Sequence, residues 1–205
     1  MKKIVLLLTA IAMSATIMSL TACNRTEKWS SGEKKIINGG DSVMRVLTVN
    51  NPADSTLLRT KSKGFSAEMI QSPEYRTLAA RMVATVTSPE QDGVGIAGPQ
   101  VGILRRIVAV QRFDKEGEPF EVYPNIRIME FRGEKESGPE GCLSVPGMHG
   151  EVMRYHDITI AYTDPETLDE ILENVRGFTA VIFQHETDHL DGILYTDCAI
   201  STEAR

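Results

Sequence analysis

The stretch His185-Glu186-Thr187-Asp188-His189 restricts what this chain can fold into more than any other. Residues four apart on an α-helix lie one turn above each other on the same face. Two imidazoles so placed can hold one divalent ion, with the intervening glutamate in reach of a water on that ion. This is the H-E-x-x-H arrangement of metallohydrolases. The flanking residues support the helix. Phe178, Val181 and Ile182 recur with His185 and His189 at helical spacing between Gly177 and Leu190.

A hydrolytic metal site takes three protein ligands and leaves one position open. Downstream of His189 no third ligand is in place. Gly192 suits the longer metzincin pattern, but Tyr195 stands where that pattern needs histidine. A glutamate from a second helix would have to be Glu203, near the end of the sequence. Both zincin patterns, and with them a metallopeptidase cutting internal bonds, therefore lack a ligand. Upstream, His149, His156 and Cys142 are available, and Cys142 is the best placed. A thiolate gives soft ligation that suits Fe(II) or Zn(II). Cys142 could instead pair with Cys198 as a disulfide in an oxidising compartment.

Three segments recur together in one known family. Gly93-Val94-Gly95-Ile96-Ala97-Gly98-Pro99-Gln100 reads G-x-G-x-A-x-x-Q, Glu140-Gly141-Cys142-Leu143-Ser144 reads E-G-C-x-S, and His185 to His189 reads H-E-x-D-H. In these motifs and their order the chain resembles the peptide deformylases over roughly residues 45–200. The G-x-G-x-x-G pattern inside the first motif makes no dinucleotide site, because such a site needs a strand before it and a helix after it. Here a helical stretch and a turn precede it, and Pro99 interrupts the chain directly after it.

The resemblance implies a metal-dependent hydrolase that removes the N-formyl group from formyl-methionyl peptides and releases formate. It implies Cys142, His185 and His189 as ligands of one divalent ion, Fe2+ by family resemblance with Zn2+ and Ni2+ as alternatives. It also implies Glu186 as acid/base, with Gln100 and the backbone N–H of Leu143 stabilising the oxyanion. Val94, Gly95, Glu140, Phe178 and Ile182 would form the substrate site, Gly95 through its backbone. Two departures stand out. His149 lies where many bacterial members have arginine, which would loosen Glu140 or alter substrate preference, although Arg154 matches another family position. Gly98 replaces the usual alanine. A second function class, a non-catalytic surface lipoprotein that binds formylated peptides, stays open, as does an amidase acting on another small amide.

The N-terminus sets where this chemistry would occur. Lys2 and Lys3 precede an apolar run from Ile4 to Leu20, ending in Leu20-Thr21-Ala22-Cys23. A short apolar core closing on small residues is an export signal, and this ending resembles a bacterial lipobox. Residues 1–22 are therefore expected to be a lipoprotein signal peptide. Cys23 would be the lipidated (palmitate-bearing) residue, residues 23–42 a flexible tether, and residues 43–205 the deformylase-like domain. The chain is then expected in the cell envelope, as a monomer anchored to a membrane. Loss of residues 1–22 leaves 20 basic against 28 acidic side chains, a balance of −8. With aromatics at 6%, that excludes nucleic acid as a partner.

The remaining pattern predicts a helix over 74–87 and strands over 106–111, 122–131, 158–162 and 171–175, with a further short strand or entry segment at 44–49. Strands preceding a late helix give an α+β class, with mixed or antiparallel sheets around the metal-binding helix.

Overall fold

The computed structural model describes residues 27–204. The expected signal peptide, and Cys23 within its cleavage motif, lie outside the described residues. No helix among the described residues is long and apolar enough to cross a membrane.

Four helices come first: α1 (Ser31–Asn38), α2 (Pro52–Leu58), α3 (Ala67–Ile70) and α4 (Pro73–Val86). The last is the helix expected at 74–87, capped by Ser72 and opened by proline at its first position. An antiparallel sheet follows, in the order β1 (Gly95–Ala97), β2 (Ile107–Gln111) and β3 (Phe120–Pro124). The second sheet is built on two long strands, β4 (Arg127–Cys142) and β5 (Val145–Thr163), which pair antiparallel along their length. Along its other edge β5 pairs with β6 (Glu170–Arg176) over Asp157–Thr163 and with β7 (Ala199–Ala204) over Met148–Val152. Between β6 and β7 come α5 (Phe178–Leu190) and the short α6 (Tyr195–Cys198). The α+β class with antiparallel sheets around a late helix is the one observed.

Helix α5 packs against β1 and β2 of the first sheet and against β5 and β6 of the second. That position explains its composition. Ala180, Ile182, Phe183, Gln184, Glu186, His189 and Leu190 are all buried, so its polar groups lie inside the protein rather than on a solvent face. Such groups persist only when bonded or when used. The helix stops at Gly192, which has φ +77° and lies against the end of α2. A Cβ there would stand 2.5 Å from the Arg59 carbonyl oxygen. The two sheets are also tied by Arg112, buried just after β2. It bonds Asp114 and the Tyr123 hydroxyl, and it reaches Glu173 on β6 at 2.7 Å.

Two expectations need correction, over 122–131 and over the tether, and at 44–49 the entry segment holds rather than the strand. The run 122–131 is not one strand. It breaks at Asn125, whose φ of +57° turns the chain from the first sheet into the second. Residues 44–49 form no strand. They run as an irregular segment whose Leu47 N–H donates to the Gln100 carbonyl and whose Val49 N–H donates to that of Ser144. The tether also fails over its described part. Ser30 and Glu33 form a reciprocal capping box that starts α1. Trp29 and Ile37 are buried in the same core cluster as Leu78 and Met82, and buried Arg105 reaches out to Glu27 and Glu33, at 2.6 Å each. Polar composition hid this helix. At eight residues it is too short for periodicity to show, and its hold on the domain comes from tertiary contacts: Ile37 in the core with Trp29 just before the helix, the Arg105 ion pairs, the Lys34–Glu74 ion pair at 2.6 Å, and Arg81 donating to the Ile36 and Ile37 carbonyls.

Ile37→Ala is expected to lower unfolding free energy by about 2–5 kcal/mol, the range for emptying a fully buried aliphatic site. Denaturant melts of the two proteins would show it, and a mere tether would leave the midpoint unchanged.

Candidate metal centre and cleft

The β4–β5 hairpin delivers Cys142 to the face of α5 that carries His185 and His189. The three ligand atoms lie within 4.8 Å of one another, with Cys142 Sγ 3.2 Å from His189 Nε2. The imidazole rings meet edge to face at 5.0 Å. His185 Nδ1 lies 2.8 Å from Glu140 Oε2. An ionised carboxylate only accepts, so Nδ1 carries the proton and Nε2 is left facing the cluster.

Glu140 is buried and is held from a second side by Arg154, at 2.7 and 3.2 Å. Burial opposes its charge, but the bonds from His185 and Arg154 outweigh that and hold its carboxyl down at about 2. Arg154 also bonds Asp188 at 2.6 Å, which brings the fourth residue of the H-E-x-D-H motif into the same network. The loosening of Glu140 expected from His149 is therefore absent: Arg154 supplies the basic partner. His149 lies exposed beside Glu203 at 3.8 Å, and His156 lies near Glu136 at the 4.0 Å limit of an ion pair. Neither joins the ligand cluster. Cys142 and Cys198 are both free thiols, so the alternative disulfide is not formed. Tyr195, at the vacant metzincin position, stacks on His185 with ring centroids 6.1 Å apart.

The electrostatics suit a cation. Burial pushes the Cys142 thiol up, but His189 and His185 outweigh it and hold the thiol well below its usual range. Burial is the chief cause that pushes Glu186 up to about 7. Glu186 Oε2 and His189 Nδ1 are buried without a hydrogen-bond partner. A thiolate and two imidazoles converging beside an unpaired carboxylate fit one Fe(II)- or Zn(II)-like ion with an open position.

The cluster forms the floor of a cleft of about 480 Å³, lined among others by Val94, Gly95, Gln100, Leu143, Phe178 and Ile182. Ile182 is buried, whereas Phe178 is 52% exposed at the mouth and packs on Phe113 at 5.4 Å. Glycine is required at 95, because a Cβ there would come within 2.5 Å of Glu186 Oε1 and 2.8 Å of Ile182 Cγ2. Gln100 sits in a 3-10 turn, Gly98–Val101. Its Oε1 accepts from the Ala97 N–H at 2.7 Å, which orients the amide. Its Nε2 then points toward Ser144 Oγ at 3.2 Å and Cys142 Sγ at 3.6 Å. Leu143 occupies the hairpin turn directly after Cys142. Every residue expected at the metal or substrate site is thus gathered around one cleft. Ser144 and Asp188, both motif positions, and Tyr195 join them, through partners that the sequence alone does not name.

Comparison with known proteins agrees with this geometry. The family model for polypeptide deformylase matches residues 43–205. The chain is 35% identical to a peptide deformylase of Leptospira biflexa over 171 residues, spanning 79% of this chain and 90% of that one. In structure it is similar to the peptide deformylase of Thermotoga maritima, with TM-score 0.67 and 30% identity over 78% of this chain and 99% of the other. A class I type b peptide deformylase of Acinetobacter baumannii, solved with Met-Ala-Ser bound, matches at TM-score 0.67 and 34% identity over 76% and 98% of the two chains. With its Cys-His-His cluster, its glutamate and its glycine-lined cleft, the chain belongs to the polypeptide deformylase family.

Proposed function

We propose that this protein hydrolyses the N-formyl amide of formyl-methionyl peptides, releasing formate and a free amine. The observation that carries this reading is the convergence of Cys142, His185 and His189 on one point, with the unpaired Oε2 of Glu186 beside it. A divalent ion held by those three residues supplies Lewis-acid chemistry, polarising a carbonyl and acidifying water. Glu186 takes the proton from the attacking water on its free oxygen and later gives it to the leaving nitrogen. The Gln100 amide, already oriented by the Ala97 N–H, donates to the oxyanion, with the Leu143 backbone N–H as a second donor. Gly95 lets the peptide backbone approach, and Val94, Phe178 and Ile182 receive the apolar first side chain.

The resident ion is Fe2+ by family resemblance, with Zn2+ and Ni2+ as alternatives that the same donor set would hold. We further propose that the chain is exported and works as a monomer tied to a bacterial membrane by lipid on Cys23. The support is the n-region, apolar run and Leu-Thr-Ala-Cys ending of the sequence. Its substrates would then be formylated peptides outside the cytoplasm rather than chains emerging from the ribosome.

Anaerobically purified protein is expected to contain about one metal ion per chain and to release formate from formyl-Met peptides. Folded, metal-replete protein without turnover would overturn the activity. Glu186→Ala is expected to keep its metal and to lose about 10²-fold or more in kcat. Cys142→Ala is expected to lose the metal itself, as measured by elemental analysis. Labelling cells with radioactive palmitate is expected to mark the wild-type chain and not Cys23→Ser. Equal labelling of the two would remove the lipid anchor.

A further inference from the structure

We infer that a second groove, separate from the cleft, binds the headgroup of an anionic phospholipid and seats that face of the protein on a membrane surface. This goes beyond the proposed anchor, since it needs no lipid on Cys23. It also goes beyond deformylation, since no residue lines both the groove and the cleft. The groove holds about 500 Å³, within the range of small-ligand sites. It lies between the end of α1, the segment that enters 44–49, α2 and the turn after Gln100. Its inner wall is apolar, with Leu47 and Val101 buried. At its mouth stand Ile36 and Val43, 39% and 41% exposed, beside the exposed Lys35 and Arg45. Aliphatic side chains left in water next to lysine and arginine make a surface suited to the lipid headgroup region.

Charge selects the occupant. Lys35, Arg45 and Arg81 line the groove, and Asp54 is its one carboxylate. Three cations less one anion leave +2, in a chain whose overall charge is −6. Asp41, in the loop that follows α1, does not line it. Asp54 is already taken, since it accepts from Arg45 at 2.5 Å and from the Thr48 N–H at 3.3 Å. Lys35 and Arg81 take part in no ion pair among the described residues. Arg81 is the stronger sign. Its Nη1 donates to the Ile36 and Ile37 carbonyls, at 2.8 and 2.7 Å, which fixes the guanidinium at the end of α1. Its Nε is buried without a partner. Gly40 leaves Nη2 uncovered, since even a Cβ there would stand 3.7 Å away. A guanidinium held in place without a counter-ion suits a phosphate, which accepts from several N–H groups at once. The mouth then separates a lipid from a free phosphate or an acidic peptide. Ile36 and Val43 offer a water-soluble anion nothing, whereas they bury against the glycerol and first acyl carbons of a lipid.

The test titrates the purified full chain with two short-chain lipids that stay monomeric in water, dihexanoyl-phosphatidylglycerol and dihexanoyl-phosphatidylcholine. Inorganic phosphate and a hexaglutamate peptide are titrated beside them. At low salt the anionic lipid is expected to bind about tenfold or more tightly than the zwitterionic one, as a surplus of two cations at a headgroup implies. The difference is expected to shrink at about 0.5 M salt, where exposed charges are screened. Lys35→Glu and Val43→Asp, both at exposed positions, are each expected to weaken binding of the anionic lipid by about fivefold. Their thermal midpoints and their formate release from formyl-Met-Ala-Ser are expected to match the wild type. Arg81→Gln is expected to lose the headgroup preference too, with a lower thermal midpoint because α1 loses its carbonyl donors. Equal affinity for the two lipids would overturn the headgroup site, and so would equal affinity for inorganic phosphate or hexaglutamate. Affinity for the anionic lipid that is unchanged in both Lys35→Glu and Val43→Asp would also overturn it, by assigning the binding to the apolar run of residues 4–20.

Discussion

Glu140 accepts hydrogen bonds from Arg154 on β5 and His185 on α5 while lying on β4 itself. Three elements from distant parts of the chain therefore meet on one buried carboxylate. The arrangement resolves a conflict of charges. A buried carboxylate alone would be costly, and so would a buried guanidinium. Together, with Asp188 as the second acceptor for Arg154, they place the hairpin against the helix in one register. That register puts Cys142 opposite His189, so the ligand cluster follows from a network that contains only one of its ligands.

Much of this was legible in the sequence. The two histidines four apart, with apolar residues continuing their face, specify a helix and a shared metal face before any fold is known. The motifs at 93–100 and 140–144 place the amide, the glycine and the thiolate by family resemblance. The partner of Glu140 was not readable. Arg154 lies fourteen residues away and reaches it only because β4 and β5 pair with Glu140 opposite Gly150, a register that local pattern does not encode. The hold of α1 was equally hidden, since its eight residues rely on Trp29, Ile37 and the Arg105 ion pairs for their place. Tertiary contacts decide such short helices, and propensity contributes little.

The break at Asn125 shows the same limit in the sheets. Alternation over 122–131 is real, but it belongs to two strands in different sheets. The asparagine that separates them bonds Phe65 through both its amide oxygen and its amide nitrogen. A left-handed asparagine looks like any other in sequence. Its role is visible only when the partner loop is in place.

Residues 44–49 bring no side chain into the cleft, yet their backbone joins its two upstream motifs. Leu47 holds the turn of Gln100 and Val49 holds the hairpin at Ser144. The amide donor and the thiolate are thus mounted on one jaw, closed from behind by a plain apolar strip. Changes in that strip would be read out as altered chemistry as well as altered stability, since Met44 and Leu47 are also buried, at positions no inspection of the cleft would single out.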